Sequence, residues 1–480
     1  MKTKIITKIS AFLLVAIFCF FAFAGCAAQM DLPNKNDAVT GNGGLVVQKG
    51  QYLYFVNGYT SAENIKKSDE VKGVEYSAIY RTKLGENNEV IYNEDGTLQN
   101  CEKIIDKVCG FEKTALYIFD DYIYYQVPNT SKVKNEETLE YNFKLTDFYR
   151  AKLDGSGQTW IYKTKNASDD TKFVFYKTNN SKDVFLSLYD GKDLISVNCS
   201  TKEAKTICEG VSSVAMPIYS VYNQDNNQLS KGASNVYYTR SGNDDENLTA
   251  GNVLCYYTLG ENQEHIIASG YNTYTVVCAT NEALVFTKKS NYDLDAFNYV
   301  IKYDYDADGN LNLDVQNSNK AIQLDATAHN NVLLCTFEEG NQAGIVVKNE
   351  TGKLVHINYT TGRYEVLDTE KTLTPLFISG TKVYAYDELN SIYQIDYKTK
   401  AEKLLCKKQD ENDDGNEPYF EAKKNISVCG GYVYYFAKYE GDSETGYYLN
   451  RVSAADRETY TVESVAKVLA KHIKTETEEE

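Results

Sequence analysis

Apolar and polar residues alternate singly along most of the chain, the pattern of a strand with one face buried. The runs are short, and polar turn residues separate them. YRTKLGENNEVIY (80–92), YRAKLDGSGQTWIY (149–162), LISVNCSTKEAKTIC (194–208), CYYTLGENQEHII (255–267), VHINYTTGRYEVLD (355–368) and YQIDYKTKAEKLLC (393–406) share one shape. Each reads as a strand, a turn of Gly, Asn, Asp, Ser, Thr or Lys, and a second short strand, which is a β-hairpin pattern. Upstream of most lies an aromatic alternating strand after a turn: GQYLYFVNG (50–58), DDYIYYQVP (120–128), SNVYYTRSG (234–242), TKVYAYDE (381–388) and GGYVYYFAK (430–438). A further strand precedes it, as in IIDKVCG (104–110), TYTVVCA (273–279) and NISVCGG (425–431).

Three to four strands per unit, repeated end to end, predict an all-β chain folded as a β-propeller of four-stranded blades. Eight units are counted, at roughly 44–93, 104–163, 172–208, 212–268, 272–326, 331–368, 371–406 and 424–468. Seven blades is the alternative, should one unit be irregular. The third and sixth units align without a gap, 173–208 on 333–368. Helical spacing occurs only in ESVAKVLAKHIK (463–474), where Val465, Val468, Leu469, His472 and Ile473 recur. That segment reads as a terminal helix or as the last strand of the ring, with 469–480 ending in an acidic tail.

The N-terminus has a different grammar. Lys2, Lys4 and Lys8 precede an apolar run from Ile9 to Phe23, and Phe23-Ala24-Gly25-Cys26 follows. This resembles the bacterial lipoprotein signal, which implies removal of 1–25, a diacylglyceryl anchor on Cys26 and a location on the extracytoplasmic face of the cell membrane. An ordinary cleaved signal and a membrane-spanning anchor are the alternatives, although the run is short for a span. Residues 26–43 are polar and read as a flexible tether, with the propeller over 44–468. The chain has 67 acidic and 50 basic residues. Loss of the three signal lysines takes the formal charge from −17 to −20. So acidic a chain excludes nucleic acid as a partner. The Tyr-Arg-x-x-Leu-Asp-Gly-Ser hairpin at 149–156, with relatives at 80–87 and 393–398, resembles propellers of low-density-lipoprotein-receptor type and bacterial surface lipoproteins carrying such a domain. The receptor type's Tyr-Trp-Thr-Asp tetrapeptide is absent. The resemblance implies fold and class, and it transfers no catalytic residue.

With strands A to D counted outward from the channel, the B–C connection is long in units one (59–76), two (128–146), four (241–252), five (289–297) and eight (438–446). All B–C connections emerge on one face, so that face is the predicted binding surface. Tyr59, Tyr141, Tyr292, Tyr439 and Tyr447 lie on or beside these loops. Exposed tyrosines suit sugars and peptides, though in a chain with 41 of them packing is the ordinary role. Two acidic turns suit calcium, which takes oxygen ligands from alternate positions of a tight loop. Asp304, Asp306, Asp308 and Asn312 form one, similar to the calcium hairpins of integrin-type propellers. Asp410, Asn412, Asp414 and Glu421 match the EF-hand spacing without flanking helices. Solvated turns are the alternative for both.

Nine cysteines follow Cys26, an odd number with no C-x-x-C. Cys109, Cys278 and Cys429 fall at matching inner-strand positions, and Cys208 and Cys406 at matching outer-strand positions, as small packing residues do. Cys199 and Cys208 would face each other across a two-residue turn. No nucleophile elbow, phosphate loop or zinc-protease motif occurs. The pattern predicts a non-enzymatic, lipid-anchored binding module for a polysaccharide, peptide or partner protein. A carbohydrate-active hydrolase or lyase, and a structural subunit of an envelope complex, are the alternatives.

Overall fold

A computed structural model describes residues 31–464 apart from 59–76, 95–97, 133–138, 178–181, 218–234, 243–250, 262, 280–282, 291, 293–294, 305–306, 308–310, 312, 314–320, 324–334, 338–343, 350, 359–360, 362, 368, 370, 380, 389–390, 407–417, 421–426, 440–447 and 455–461. The chain separates at Asn34/Lys35 into an N-terminal unit and a second unit, Lys35–Glu480. Every described strand lies in the second unit.

That unit is an eight-bladed β-propeller, one antiparallel sheet per blade. Blade 1 runs Val46–Lys49, Tyr52–Val56, Ile79–Lys83 and Cys101–Ile105 from strand A outward, and Val39–Thr40 adds a fifth strand inside strand A. Blade 2 runs Tyr117–Phe119, Tyr122–Lys132, Leu139–Lys152 and Thr159–Lys163, and blade 3 Lys172–Lys177, Val184–Tyr189, Leu194–Asn198 and Ala204–Cys208. Blade 4 has Val211–Ala215, Asn235–Ser241, Asn252–Thr258 and Glu264–Ala268, and blade 5 Asn272–Ala279, Ala283–Ser290, Phe297–Lys302 and Ala321–Gln323. Blade 6 has Cys335–Phe337, Gly344–Lys348, Leu354–Asn358 and Tyr364–Val366, and blade 7 Thr374–Ser379, Lys382–Tyr386, Ile392–Asp396 and Glu402–Cys406. In blade 8 the inner position is shared by Pro418–Phe420 and Ser427–Cys429, and the blade continues outward with Tyr432–Tyr439, Tyr448–Ser453 and Val462–Ser464. No helix occurs among the described residues. Val462–Ser464 pairs with Asn450–Val452, so the start of the helically spaced segment is the last strand of the ring.

The core is a series of wedges between blades. One buried cluster joins blades 2, 3 and 4, and others lie between 4 and 5, 5 and 6, 6 and 7, 7 and 8, and 8 and 1. Alternation explains this, because successive side chains of a strand face the two neighbouring blades. Three blades repeat a Tyr-x-Tyr strand B against an Arg on strand C. Tyr54, Tyr124 and Tyr434 pair with Arg81, Arg150 and Arg451. The guanidiniums lie 5.9, 5.0 and 3.9 Å from the rings of Tyr52, Tyr122 and Tyr432, a cation–π contact that lets the buried Arg81 and Arg451 and the half-buried Arg150 pack against an aromatic strand.

The C–D turn that carries the sequence repeat has one chemistry in blades 3, 6 and 7. The Asn198 side-chain oxygen accepts from the amides of Ser200 and Thr201, and the Thr201 hydroxyl accepts from the Glu203 amide. Asn358 with Thr361, and Asp396 with Thr399, repeat the arrangement. Lys202 and Lys400 close their turns at φ 65° and 61°. Such side-chain bonds mimic a backbone turn and so set the hairpin locally. Burial pushes the Asp396 carboxyl up. Hydrogen bonds from the Thr399 and Lys398 amides, the Lys382 ammonium and the Thr381 hydroxyl outweigh it and hold the group at about 2. A carboxylate with a depressed pKa stabilises the fold above its unfolded value and loses that contribution as pH falls through the folded one. The Asp396→Asn variant should therefore lose the part of the acid sensitivity between pH 4 and 2 that Asp396 contributes, as measured by urea midpoints at each pH.

Four expectations need correction. Blade 1 does not end near residue 93. Its outer strand is Cys101–Ile105, paired with Ile79–Thr82, and a Tyr92–Leu98 bridge forms a small side hairpin before it. Segment 104–110 is thus not the inner strand of blade 2, which is Tyr117–Phe119, and Cys109 lies in a connection rather than beside the equivalents Cys278 and Cys429. Cys199 and Cys208 do not face each other. The turn spans five residues, Leu194 is opposite Cys208, and both thiols are free. Residues 39–43 are no flexible tether, because Val39–Thr40 is a strand and Asn42 is buried.

Candidate functional site

Each blade runs down, up, down and up, so the B–C turns and the connections between blades share one face, and the A–B and C–D turns share the other. The first is here the loop face and the second the turn face.

Where B–C turns are short, the loop face is tightly fastened. In blade 3 the fully buried Asp190 accepts from the Asn166 amide group at 3.0 Å and from the Asp193 backbone N–H at 3.0 Å. In blade 7 Asp387 accepts from the Ser391 N–H at 2.9 Å and the Tyr393 hydroxyl at 3.0 Å, and Lys371 lies 3.7 Å away. In blade 6 the Asn349 side chain accepts from the amides of Thr351 and Lys353. An Asp or Asn at the end of strand B thus caps each of these turns.

Blade 2 differs. Its predicted long loop, 128–146, is mostly a two-stranded arm. Strands B and C stay paired out to Lys132 and Leu139, with a register shift at Pro128/Asn129. Lys113, from the connection between blades 1 and 2, clamps the base. Its buried ammonium donates to the carbonyls of Phe143 (3.3 Å), Lys144 (3.4 Å) and Ser168. Burial lowers the Lys113 pKa, with Asp169 opposing. The Phe143 ring meets Phe111 edge-on at 6.1 Å, and Lys144 pairs with Asp169 at 2.9 Å. On the outer side Asp147 accepts from Asn129 at 2.6 Å and from the Trp160 indole at 2.9 Å. The base of the arm is therefore fastened to the loop face. Neither Lys113 nor Asp147 carried a sequence signal, because their partners are backbone carbonyls and residues made neighbours by the fold.

The predicted tyrosines separate. Tyr292 is 94 % exposed in the B–C connection of blade 5. Tyr141 sits on the arm but is half-buried against the cluster between blades 8 and 1, with its ring 6.1 Å from Phe143. Tyr439 ends strand B of blade 8, and its side chain lies outside the described residues, as do Tyr59 and Tyr447 altogether. Of the calcium turns, Asp304 is exposed on the turn face beyond strand C of blade 5. Asp306, Asp308, Asn312, Asp410, Asn412, Asp414, Glu421 and the lipidation candidate Cys26 lie outside the described residues. Among the described residues no three His, Cys, Asp or Glu side chains converge as a metal group would require.

The inner strands carry a plain signal. Val46–Lys49, Tyr117–Phe119, Lys172–Lys177, Val211–Ala215, Asn272–Ala279, Cys335–Phe337, Thr374–Ser379, Pro418–Phe420 and Ser427–Cys429 contain no Asp, Glu or His. The strands B, from Tyr52–Val56 to Tyr432–Tyr439, contain none either, so the lack of acids belongs to the inner half of every blade and does not single out the channel. Described histidines are packing groups: His265 stacks on Tyr256 at 4.8 Å, and His356 lies beside Tyr397 at 5.4 Å. Burial pushes the Cys429 thiol up to about 11 and Cys101 and Cys278 to about 12, which leaves them protonated and unreactive.

No protein-family model and no curated protein matches the chain. Solved structures with a similar course include a prolyl endopeptidase (9 % identity, TM-score 0.40, covering 71 % of this chain and 47 % of that one). The chain thus spans about half the length of that peptidase. An oligogalacturonate lyase from Vibrio parahaemolyticus matches at 10 % identity and TM-score 0.36, over 84 % of this chain and 96 % of that one. The β-propeller domain of the Trilobed protease from Pyrococcus furiosus matches at 10 % and 0.36, over 88 % and 98 %.

Proposed function

We propose that this chain is a non-catalytic binding module, anchored through lipid on Cys26 at the extracytoplasmic face of the membrane. Its loop face takes a polysaccharide, a peptide or a partner protein. The observation that carries this reading is the loop face, where an arm clamped by Lys113 stands on blade 2 and Tyr292 is 94 % exposed on blade 5. A rigid ring with a clamped arm and an exposed Tyr292 suits recognition, since flat aromatic faces bind sugars and peptides with little ordering cost.

The test uses the chain from residue 27 against immobilised cell-wall and host polysaccharides, with and without chelator, reading retention and released reducing ends together. Retention without product is the expected result, and released product sinks the reading. For a retained polymer, Tyr292→Ala should weaken binding about ten-fold, or about 1.4 kcal/mol. Loss of retention on chelation would show that a metal ion is needed, with the 304–312 and 410–421 turns as its candidate sites. If no polysaccharide is retained, the remaining form of the reading is a peptide or protein ligand, sought by crosslinking on cells with the Cys26→Ser protein as the unanchored control.

A further inference from the structure

We infer that Asn42-Gly43 is a deamidation site held shut by closure of the ring, and that its conversion makes an opening of the ring permanent. Asn-Gly is the dipeptide in which this chemistry is easiest, because glycine puts no side chain in the way of its own amide nitrogen. The Gly43 nitrogen attacks the side-chain carbonyl carbon of Asn42. A C–N bond forms, the bond from that carbon to Nδ2 breaks, and ammonia leaves with the proton of the Gly43 amide. Water then opens the cyclic imide. Attack at the side-chain carbonyl leaves an aspartate, and attack at the main-chain carbonyl leaves an isoaspartate, with the chain running through the former side chain. In the closed ring each group this needs is engaged. The Gly43 amide donates to the Leu116 carbonyl at 2.7 Å. The Asn42 side chain donates to the Ile118 carbonyl at 3.2 Å and accepts from the Ile118 N–H at 2.7 Å, and it is 1 % exposed. Cyclisation turns that side chain back onto its own backbone, so all three bonds must be released together. Ile118 lies on strand A of blade 2, and their release is therefore a local parting of the ring at this joint.

The product does not fit back. An aspartate cannot donate to the Ile118 carbonyl, which would be left buried and unpaired. An isoaspartate lengthens the backbone by one atom where there is no slack. A Cβ on Gly41 would sit 2.6 Å from the Val46 carbonyl, and one on Gly44 2.6 Å from the Ser427 hydroxyl. A transient opening is thus recorded as a covalent change in the segment that joins blade 2 to blade 8. The chain also carries its own comparison. Asn57-Gly58 is the same dipeptide and is fully buried, but blade 1 alone holds it. The Asn57 amide donates to the Ala78 carbonyl at 2.8 Å, and its carbonyl accepts from the Ser77 N–H at 2.5 Å. That site becomes reactive when blade 1 itself unfolds, whereas Asn42 needs only the joint to part.

The test follows both sites in the full-length protein, purified as expressed and held in mildly alkaline buffer, either folded or in denaturing urea. Trypsin releases 36–49 with Asn42 and 50–66 with Asn57, and fragment masses locate each conversion, with a digest at time zero as background. In urea the two sites are expected to convert at comparable rates. In the folded protein Asn42 is expected to convert at least about ten-fold more slowly than in urea. Ser427→Ala removes the hydroxyl that accepts from the Leu45 amide at 2.7 Å and so loosens the joint. Asn42 conversion in this folded variant should rise about three-fold or more, with Asn57 conversion unchanged from wild type. The converted fraction, separated by its added negative charge, should unfold at lower urea than the unconverted protein from the same sample. Equal conversion of Asn42 in folded and denatured protein overturns the protection by ring closure. A rise at both sites in Ser427→Ala, or at neither, overturns the joint as the gate. A converted fraction with the unconverted midpoint overturns the permanence of the opening.

Discussion

A chain that starts at residue 45 is expected to fold with an open ring and to be less stable than the chain from residue 27 by about 3–6 kcal/mol, at about 1 kcal/mol per hydrogen bond lost. The described strands of blades 1 and 8 are each contributed by one end of the chain, with no strand exchanged between them. Beside the apolar cluster between blades 8 and 1, closure falls to the segment Val39–Gly44. Asn42 donates to the Ile118 carbonyl at 3.2 Å and accepts from the Ile118 N–H at 2.7 Å, pinning blade 2. Gly43 and Gly44 exchange bonds with Leu116 at 2.7 and 2.8 Å. On the other side Thr40 meets the Cys429 thiol at 3.4 Å, and the Leu45 amide donates to the Ser427 hydroxyl at 2.7 Å. Arg451 of blade 8 completes the joint by donating to the Asn88 carbonyl at 3.1 Å. The tightness is evident at Gly41, where φ is +85° and a Cβ would sit 2.6 Å from the Val46 carbonyl. Asn42→Ala alone should cost about 2–4 kcal/mol, since it strands two buried backbone groups. Asn42→Asp keeps the volume but cannot donate to Ile118, so it should recover little. Thermal and urea unfolding of the four proteins side by side measure this. A truncated chain that melts with the longer one would show that the ring closes without the segment.

This joint is also where the sequence was least legible. Residues 39–44 read VTGNGG, a composition that suits a linker. What orders them is Ile118 and Cys429, the latter 389 residues from Thr40, and no local pattern encodes such partners. The C–D hairpins of blades 3, 6 and 7 are the opposite case. Asn198, Asn358 and Asp396 bond within three residues of themselves, so their turns appear in the sequence as a repeat, and the count of eight came from it. The outer strand of blade 1 was misplaced because two apolar stretches, 90–92 and 101–105, both suit an edge strand. The choice between them is made by the pairing of Ile79 with Ile105. On the loop face, chain length between strands marked where insertions lie. It did not reveal that 128–146 is a paired arm, whose order depends on Lys113 bonding to carbonyls of two other segments. The half-burial of Tyr141 against the cluster between blades 8 and 1 is likewise set by partners distant in the chain.

Phe148→Ala should cost about 3–5 kcal/mol, the range for emptying a packed aromatic site, and its effect should be confined to blades 2 and 3. Phe148 is fully buried, with its ring edge-on to Phe173 at 5.0 Å and to Phe175 at 6.0 Å. Tyr117 and Tyr124, also of blade 2, meet Phe175 at 5.4 and 5.2 Å. Two blades are thus joined by interlocked rings, and removing the central one leaves a void that rigid strands cannot close. Phe148→Leu, which fills most of the volume, should lose less than half as much. In a ring of repeats each blade leans chiefly on its neighbours, so the loss should appear as opening of one interface. Hydrogen exchange reads this directly. Amides of Phe173–Tyr176 and Asp147–Tyr149 should lose protection first, while those of blade 7 keep theirs. The arm grows from the same strands of blade 2, so a ligand that depends on the arm should bind more weakly in Phe148→Ala although no contact residue has changed. Protection lost evenly around the ring would mean that the blades unfold as one unit, and the wedge would then have no special claim on the loop face.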